Sequence, residues 1–252
     1  MKILVLMKQT FDTEENIVLE DGQISEDGVK FIINPYDEYA IEEAIVLRDK
    51  FGGEVTVITL GPARAKEALR KALAMGANHA VHIHDAAWFG DEYKAAKVLA
   101  AYIRTQEYNL ILGGNQAIDD GSGQVAVRVA ELLGIPHIST ITKLEIDGVK
   151  VTAHRDAEGD TEIVETSMPV LLTAQQGLNE PRYPSLLGIR KANHIPLKVI
   201  EAVDLNVDAS SKNETVEINL PKEKNGGRLL EGEHAHQVKE LVTLLRSKNK
   251  VI

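Results

Sequence analysis

Apolar residues follow two rhythms along this chain: short unbroken runs, and longer stretches in which they recur every three or four positions. Residues 2–7 carry Ile3-Leu4-Val5-Leu6-Met7 without a polar break, the pattern of a strand covered on both faces. Asp21-Gly22 between the short apolar pieces Val18-Leu19 and Ile24 signals a hairpin, a surface excursion. Asn34-Pro35 then opens a helix. Asn34 is suited to cap it, Pro35 fits the first helical position, and Asp37 and Glu38 complement the positive end of the dipole. Ala40, Ile41, Ala44, Ile45 and Leu47 give this helix an apolar face, and Gly52-Gly53 stops it.

The alternation repeats. A strand over 54–60 precedes a helix carrying Ala65, Ala68, Leu69, Ala72 and Leu73 and ending near Gly76. A strand over 80–83, a helix over 91–105, a strand over 110–112 and a helix over 122–133, closed by Gly134-Ile135-Pro136, follow. Strands alternating with helices imply crossovers and a doubly wound, mostly parallel sheet, so the fold class is α/β.

From Ile138 the texture turns β-like, with runs over 140–146, 149–154, 161–165 and 170–173 separated by Asp147-Gly148 and Glu158-Gly159-Asp160. These predict antiparallel strands added to the sheet edge or folded across it. Beyond Pro196 the chain becomes acidic and irregular through 203–215, with an extended stretch at 216–220 and a terminal helix presenting Val238, Leu241, Val242 and Leu245. The organisation read from this is an α/β domain over 1–196 and a linker with a C-terminal arm over 197–252, either docked or wrapped on a partner.

Composition removes several function classes. A formal net charge of −10 opposes general nucleic-acid binding, which needs a basic stripe against the phosphates. Aromatic residues make up only 4%, too few for a base-stacking platform. There is no Cys, hence no disulfide, thiolate-bound zinc, iron–sulfur cluster or Cys nucleophile, and redox chemistry would have to come from a bound cofactor. The five apolar residues at 3–7 fall far short of a signal or membrane segment, so the expectation is a cytoplasmic protein without membrane insertion.

The most informative stretch runs from Leu110 to Ala130. A strand ends in Gly113-Gly114, a polar loop follows, and Gly121-Ser122-Gly123-Gln124 leads into a helix. Free N–H groups and the dipole at that helix start could receive a phosphate, with glycines letting it approach the backbone. Gly121-x-Gly123-x-x-Ala126 matches the loose dinucleotide fingerprint, yet a Gly-rich turn of no function reads the same way. No Gly-Lys-Ser/Thr is present, which disfavours a nucleoside triphosphatase. His82 with His84, and His234 with His236, lack a third ligand in metal spacing, so no metal site is expected. Asp119-Asp120 are read as loop-capping and ligand hydrogen-bonding groups, and Ser139, Ser167 and Ser185 sit in no nucleophile elbow. No catalytic residue is assigned. Residues 175–186, with Pro181 and Pro184, read as a rigid presented loop.

Four stretches in order, Asn34-Pro35-Tyr36-Asp37-Glu38, Ala72-Leu73-Ala74-Met75-Gly76-Ala77, Gln116-Ala117-Ile118-Asp119 and Leu178-Asn179-Glu180-Pro181-Arg182-Tyr183, together resemble the β-subunit of electron-transfer flavoproteins. The resemblance implies a Rossmann-like, adenine-nucleotide-binding domain in an electron carrier that catalyses no reaction on a metabolite. It implies AMP in this subunit, or a second FAD in electron-bifurcating members, while an α-subunit holds the FAD that carries electrons. Carried over motif by motif, the nucleotide would contact Leu6, Asn34, Pro35, Tyr36, Asp37, Leu60, Gly114, Gln116, Ala117, Asp119, Gly121, Ser122, Gly123, Gln124 and Val125. A partner-recognition loop over about 183–192 would dock acyl-CoA or related dehydrogenases of fatty-acid oxidation through Leu186, with Arg182, Tyr183 and Ile189 beside it. Burial of Leu186 is the alternative. Electrons would pass on to an electron-transfer flavoprotein:quinone oxidoreductase and the quinone pool.

Two departures from the family pattern bear on the ligand and the partner. Asp119-Asp120-Gly121-Ser122-Gly123-Gln124 stands where many members have Asp-Asp-Asp or Asp-Gly-Asp, and the dense Lys run after the recognition loop is replaced by Arg190-Lys191-Ala192-Asn193-His194. The Asn-Glu-Pro-Arg-Tyr stretch is more similar to non-bifurcating members and favours AMP. The rivals are a bifurcating subunit whose own FAD oxidises NADH, and a stand-alone adenine-nucleotide-binding module or ATP-dependent enzyme.

Overall fold

The structure, a computed structural model, describes residues 1–85, 90–208, 210–222 and 226–249. Its first strand, β1 (Lys2–Leu6), is buried from Ile3 onward, Ile3 and Val5 on one face, Leu4 and Leu6 on the other. β2 (Gln9–Phe11) pairs antiparallel with a later strand, β5 (Phe31–Ile33). Between them β3 (Leu19–Glu20) and β4 (Gln23–Ile24) form the small hairpin that Asp21-Gly22 predicts. Both turn residues have positive φ, +50° and +76°, as a two-residue hairpin turn of matching twist requires.

Helix α1 (Pro35–Phe51) is followed by β6 (Glu54–Gly61), α2 (Ala65–Met75), β7 (His79–His84), α3 (Glu92–Ile103), β8 (Leu110–Gly114) and α4 (Val125–Leu133). β9 (His137–Asp147), β10 (Lys150–Ala157), β11 (Asp160–Ser167) and β12 (Val170–Ala174) come next, then α5 (Leu186–His194) and β13 (Lys198–Glu201). A 3₁₀ turn at Ala202–Leu205 ends this series. The nine-stranded sheet has the order β11-β10-β9-β12-β8-β1-β6-β7-β13. All neighbours from β9 to β13 are parallel, and β9, β10 and β11 add an antiparallel meander at one end. The α/β, mostly parallel architecture is therefore as the sequence predicts.

Three elements differ from expectation. The run at 170–173 is no added antiparallel strand: β12 lies between β8 and β9, parallel to both and buried at all five residues. Its unbroken Val-Leu-Leu-Thr-Ala is the pattern of a strand covered on two faces, whereas β10 and β11 alternate. α4 starts at Val125 rather than at Ser122, because Gly121 and Gly123 stand at φ +65° and +62°, outside the helical region. The sheet also continues past Pro196, for β13 pairs with β7.

Helices α1 and α2 cover one face, where Ile41, Ala44, Ile45, Leu69 and Ala72 meet Val5, Val57, Leu112 and Leu172. α3 and α4 cover the other, where Leu99, Tyr102, Ile103 and Val129 meet Leu4, Ile58, Ile83 and Ile111. From β1 the chain winds through α1, β6, α2 and β7 to one side, then returns through α3 to β8 on the other side of β1. The winding thus reverses between β1 and β8. In open α/β sheets ligands bind at such a reversal, outside the carboxyl ends of the strands.

The chain divides into two compact units, Met1–Glu217 and Ile218–Ile252. The second contains α6 (His234–Leu244), which presents Val238 and Leu241 to solvent, and an ion pair from Arg228 to Glu240. Among the described residues, 216–220 pair with no strand. Among the described residues no helix is long and apolar enough to cross a membrane.

Candidate functional site

A crevice opens at the reversal point. Leu6, Met7 and Lys8 of the β1 end, Ile58 and Leu60 of β6, and the chain from Gly113 to Ala117 border it. Ser122 to Ala126 close one side and Asp91, Glu92, Ala95 and Leu99 of α3 another. The β6 wall is apolar and the α3 side sets Ala95 and Leu99 beside Asp91 and Glu92, while the floor near β8 and α4 offers amides and backbone N–H groups.

The first turn of α1 builds that floor. Asn34 occupies the N-cap position but makes no side-chain cap, contrary to the expectation for this residue. Its amide instead donates to the Gln116 carbonyl at 2.8 Å, and its Oδ1 accepts the Ile118 N–H at 3.1 Å. Asn34 thus pins the middle of the polar loop. Asp37, which the sequence suggests as a dipole partner, is buried and accepts the Lys8 and Gly114 N–H groups at 2.7 and 2.9 Å. Burial pushes its carboxyl up to about 7, against the downward pull of these donors, Asn34 and the Lys8 charge.

The loop itself is organised by short bonds. Asn115 N–H donates to the Ala174 carbonyl and Gly121 N–H to the Ala117 carbonyl, at 2.9 and 2.8 Å. Ser122 N–H donates to Asp120 Oδ1 at 2.9 Å. Lys8 Nζ bridges Asp119 and Asp120 at 2.7 and 2.8 Å. Burial alone would lower the Lys8 ammonium, but the two carboxylates outweigh it and hold its pKa above the ordinary lysine value. Asp120 is held below the usual carboxylate range, since Lys8 and the Ser122 N–H outweigh its burial. α4 has no side-chain cap, and Gln124 Oε1 accepts from Arg128 at 2.6 Å instead. The N–H groups of a first turn without a side-chain cap have the chemistry to receive an anion.

Of the residues carried over by resemblance, Leu6, Asn34, Asp37, Leu60, Gly114, Gln116, Ala117, Ser122, Gly123, Gln124 and Val125 border the crevice. Pro35, Tyr36, Asp119 and Gly121 do not, though each adjoins a lining residue in the sequence and Asp119 pairs with Lys8. Asp120, read from the sequence as a ligand hydrogen-bonding group, lines the crevice, as does Asn115 beside Gly114, whereas Lys8 and Asp91 also line it and were not singled out. Lys8 follows a buried strand directly, so its side chain starts at the strand's carboxyl end, which is the signal that could have found it. Asp91 caps α3 by accepting the Lys94 N–H at 2.9 Å.

The stretch after β12 is held on α1. Asn179 donates to the Tyr39 carbonyl and to Glu43, both at 3.0 Å, and Arg182 grips Glu42. The segment expected as a partner-recognition loop over about 183–192 is mostly helix α5, capped by Ser185 Oγ, which accepts the Gly188 N–H at 2.9 Å. α5 packs closely on α2. Gly188 lies so near the Ala74 carbonyl that a Cβ would come within 2.3 Å of it, and Arg70 donates to the Ala192 and Ile195 carbonyls. Tyr183 and Leu186 remain 95% and 82% exposed, with Leu187 and Ile189 exposed beside them, so the burial alternative for Leu186 does not hold. Arg182 is directed to Glu42 within the chain.

The histidines have local partners. His82 Nε2 lies 2.9 Å from the Gly61 carbonyl, and His84 Nδ1 is 2.9 Å from Glu201. Among the described residues no group of three or more His, Asp or Glu is gathered as a metal would require.

Residues 21–205 match the electron transfer flavoprotein domain family. The chain is 58% identical over 257 aligned positions to "Electron transfer flavoprotein subunit beta" of Bacillus subtilis, covering all of both chains. It is 44% identical to the protein of the same name from Syntrophomonas wolfei, over 92% of this chain and 91% of that one. It is also 35% identical to "Caffeyl-CoA reductase-Etf complex subunit CarD" of Acetobacterium woodii, over 99% of each. With a family match over most of its length and a relative this similar end to end, the chain belongs to the electron transfer flavoprotein β-subunit family.

Proposed function

We propose that this chain holds AMP as a structural nucleotide in the crevice between β1 and β8 and, with an α-subunit bearing FAD, forms a cytoplasmic electron carrier. The observation that carries this reading is an uncapped α4 start lining the same crevice as one lysine already shared by two carboxylates. Such an arrangement suits one phosphate group, and the sequence has no P-loop lysine for a longer chain. The phosphate would take N–H groups of Gly123, Gln124 and Val125. The adenine would lie near Gln116 and Ala117, against the apolar wall of Leu6 and Leu60. AMP has no redox centre, so electrons would be carried by the α-subunit's flavin alone.

The same proposal assigns docking to α5. Leu186, exposed on a helix fixed by Ser185 and Arg70, is a preorganised anchor that fills a partner pocket at little ordering cost. Acyl-CoA or related dehydrogenases would supply electrons there, and an electron-transfer flavoprotein:quinone oxidoreductase would receive them.

A crevice holding a second, NADH-oxidising FAD is the competing reading, and the similarity to a subunit named for a caffeyl-CoA reductase–Etf complex gives reason to test it. NADH is added anaerobically to the purified heterodimer while flavin absorbance is followed. No bleaching supports the AMP reading; NADH-dependent bleaching contradicts it.

A further inference from the structure

The hydrogen-bond ladder between β1 and β8 ends at Leu6 and Gly113. Beyond that pair the two chains turn to opposite neighbours: Met7 N–H donates to Ile58 of β6, and Asn115 N–H to Ala174 of β12, each at 2.9 Å. The sheet forks here, and the fork is the mouth of the crevice. Asp37 sits in it. One carboxylate oxygen accepts from Lys8 on the β1 side at 2.7 Å and the other from Gly114 on the β8 side at 2.9 Å.

Gly114 is built around this contact. A Cβ there would fall 2.3 Å from Asp37 Oδ1 and 2.7 Å from Tyr36 Cβ, so the carboxylate fills the space a side chain would need. The glycine serves the tie. Lys8 carries the bridge to Asp119 and Asp120, and Gly114 begins the loop that ends at α4. One carboxylate therefore sets the relative position of both halves of the phosphate seat.

We infer that Asp37 is a positioning residue for the nucleotide, fixing the width of the crevice through the β1 and β8 ends. The inference rests on the nucleotide reading of the crevice given above. Both partners are N–H donors, so the tie needs two acceptor oxygens, which an ionised carboxylate has and an amide lacks. The charged side chain that bears on Asp37 is Lys8, whose ammonium is held by Asp119 and Asp120.

The test uses the whole heterodimer, stripped of nucleotide and titrated with labelled AMP from pH 8 to 5. D37N is expected to bind AMP about tenfold more weakly, the scale of one buried donor left unmet. G114A, which presses a methyl group into the carboxylate, should lose affinity similarly. In the wild type, affinity should fall as pH drops through the neutral range, where Asp37 protonates. D37N should lack that step and keep only the phosphate's own titration near about 6.

Affinity within twofold of wild type and an unchanged pH profile in D37N would overturn the inference. If the variants do not assemble, a wild-type profile with no step between pH 6 and 8 overturns it equally. Should the wild type take up FAD in place of AMP, the proposed function fails, while the same comparison made with FAD still decides the role of Asp37. Binding of neither ligand removes both.

Discussion

Arg182 lies fork-on across Glu42, its Nε 2.8 Å from one carboxylate oxygen and its Nη2 2.8 Å from the other, while its backbone N–H adds a bond at 3.1 Å. Glu42 is buried on α1, the helix whose first turn forms the crevice floor. The pair therefore fixes the approach to α5 on the same helix whose first turn lines the crevice. A planar bidentate contact is something Lys cannot reproduce. Replacing Arg182 with Ala leaves a buried carboxylate without its fork and should cost about 1–3 kcal/mol, with Arg182→Lys in between. Urea unfolding of the three proteins checks this, and equal midpoints would contradict it.

Leu186 should behave oppositely. It is 82% exposed, so Leu186→Ala should change unfolding free energy by less than about 0.5 kcal/mol. Electron transfer from the partner dehydrogenase should nevertheless slow, with FAD content unchanged. Stopped-flow reduction by the partner reads this directly; unaltered kinetics would remove Leu186 as an anchor.

Asn34 is expected to matter through the loop and not through helix capping. Asn34→Ser keeps a good capping residue but cannot reach both the Gln116 carbonyl and the Ile118 N–H. Hydrogen exchange at the Ile118 amide should therefore speed in Asn34→Ser and in Asn34→Ala alike. Slow exchange in the Ser variant would assign Asn34 to the cap.

The stability effect expected of Asp37 runs against the effect proposed for it on AMP binding. Its folded-state value of about 7 lies above the ordinary 3.8, so its stabilising contribution is complete below the ordinary value and is lost as pH rises through about 7. The unfolding free energy of wild type relative to Asp37→Asn should thus increase as pH falls from 8 towards 5, over the range in which AMP affinity is expected to decline. Denaturant titrations of nucleotide-free protein at several pH values test the sign, and a difference that does not vary with pH would contradict it.

Much of the fold was legible because parallel strands and crossover helices write different periods. β1 and α1 were readable from Ile3 to Met7 and from Ala40 to Leu47 for that reason. β12 was misread because it follows three strands of antiparallel texture, and only its lack of alternation marks it as central. The Gly-rich loop was legible as the turn into α4, but its supports were not. Asn34 and Asp37 are 82 and 77 residues from the loop groups they hold, Gln116 and Gly114, and no local pattern encodes such pairings. α5 escaped notice since Pro181 and Pro184 mark a rigid segment without showing where it ends, although Ser185 before Leu186 is an acceptable cap.

The most direct test counts ligands. The chain is co-expressed with its α-subunit, the complex is purified and denatured, and flavin and AMP are quantified per heterodimer. One FAD and one AMP is the predicted result; two FAD and no AMP would contradict the account.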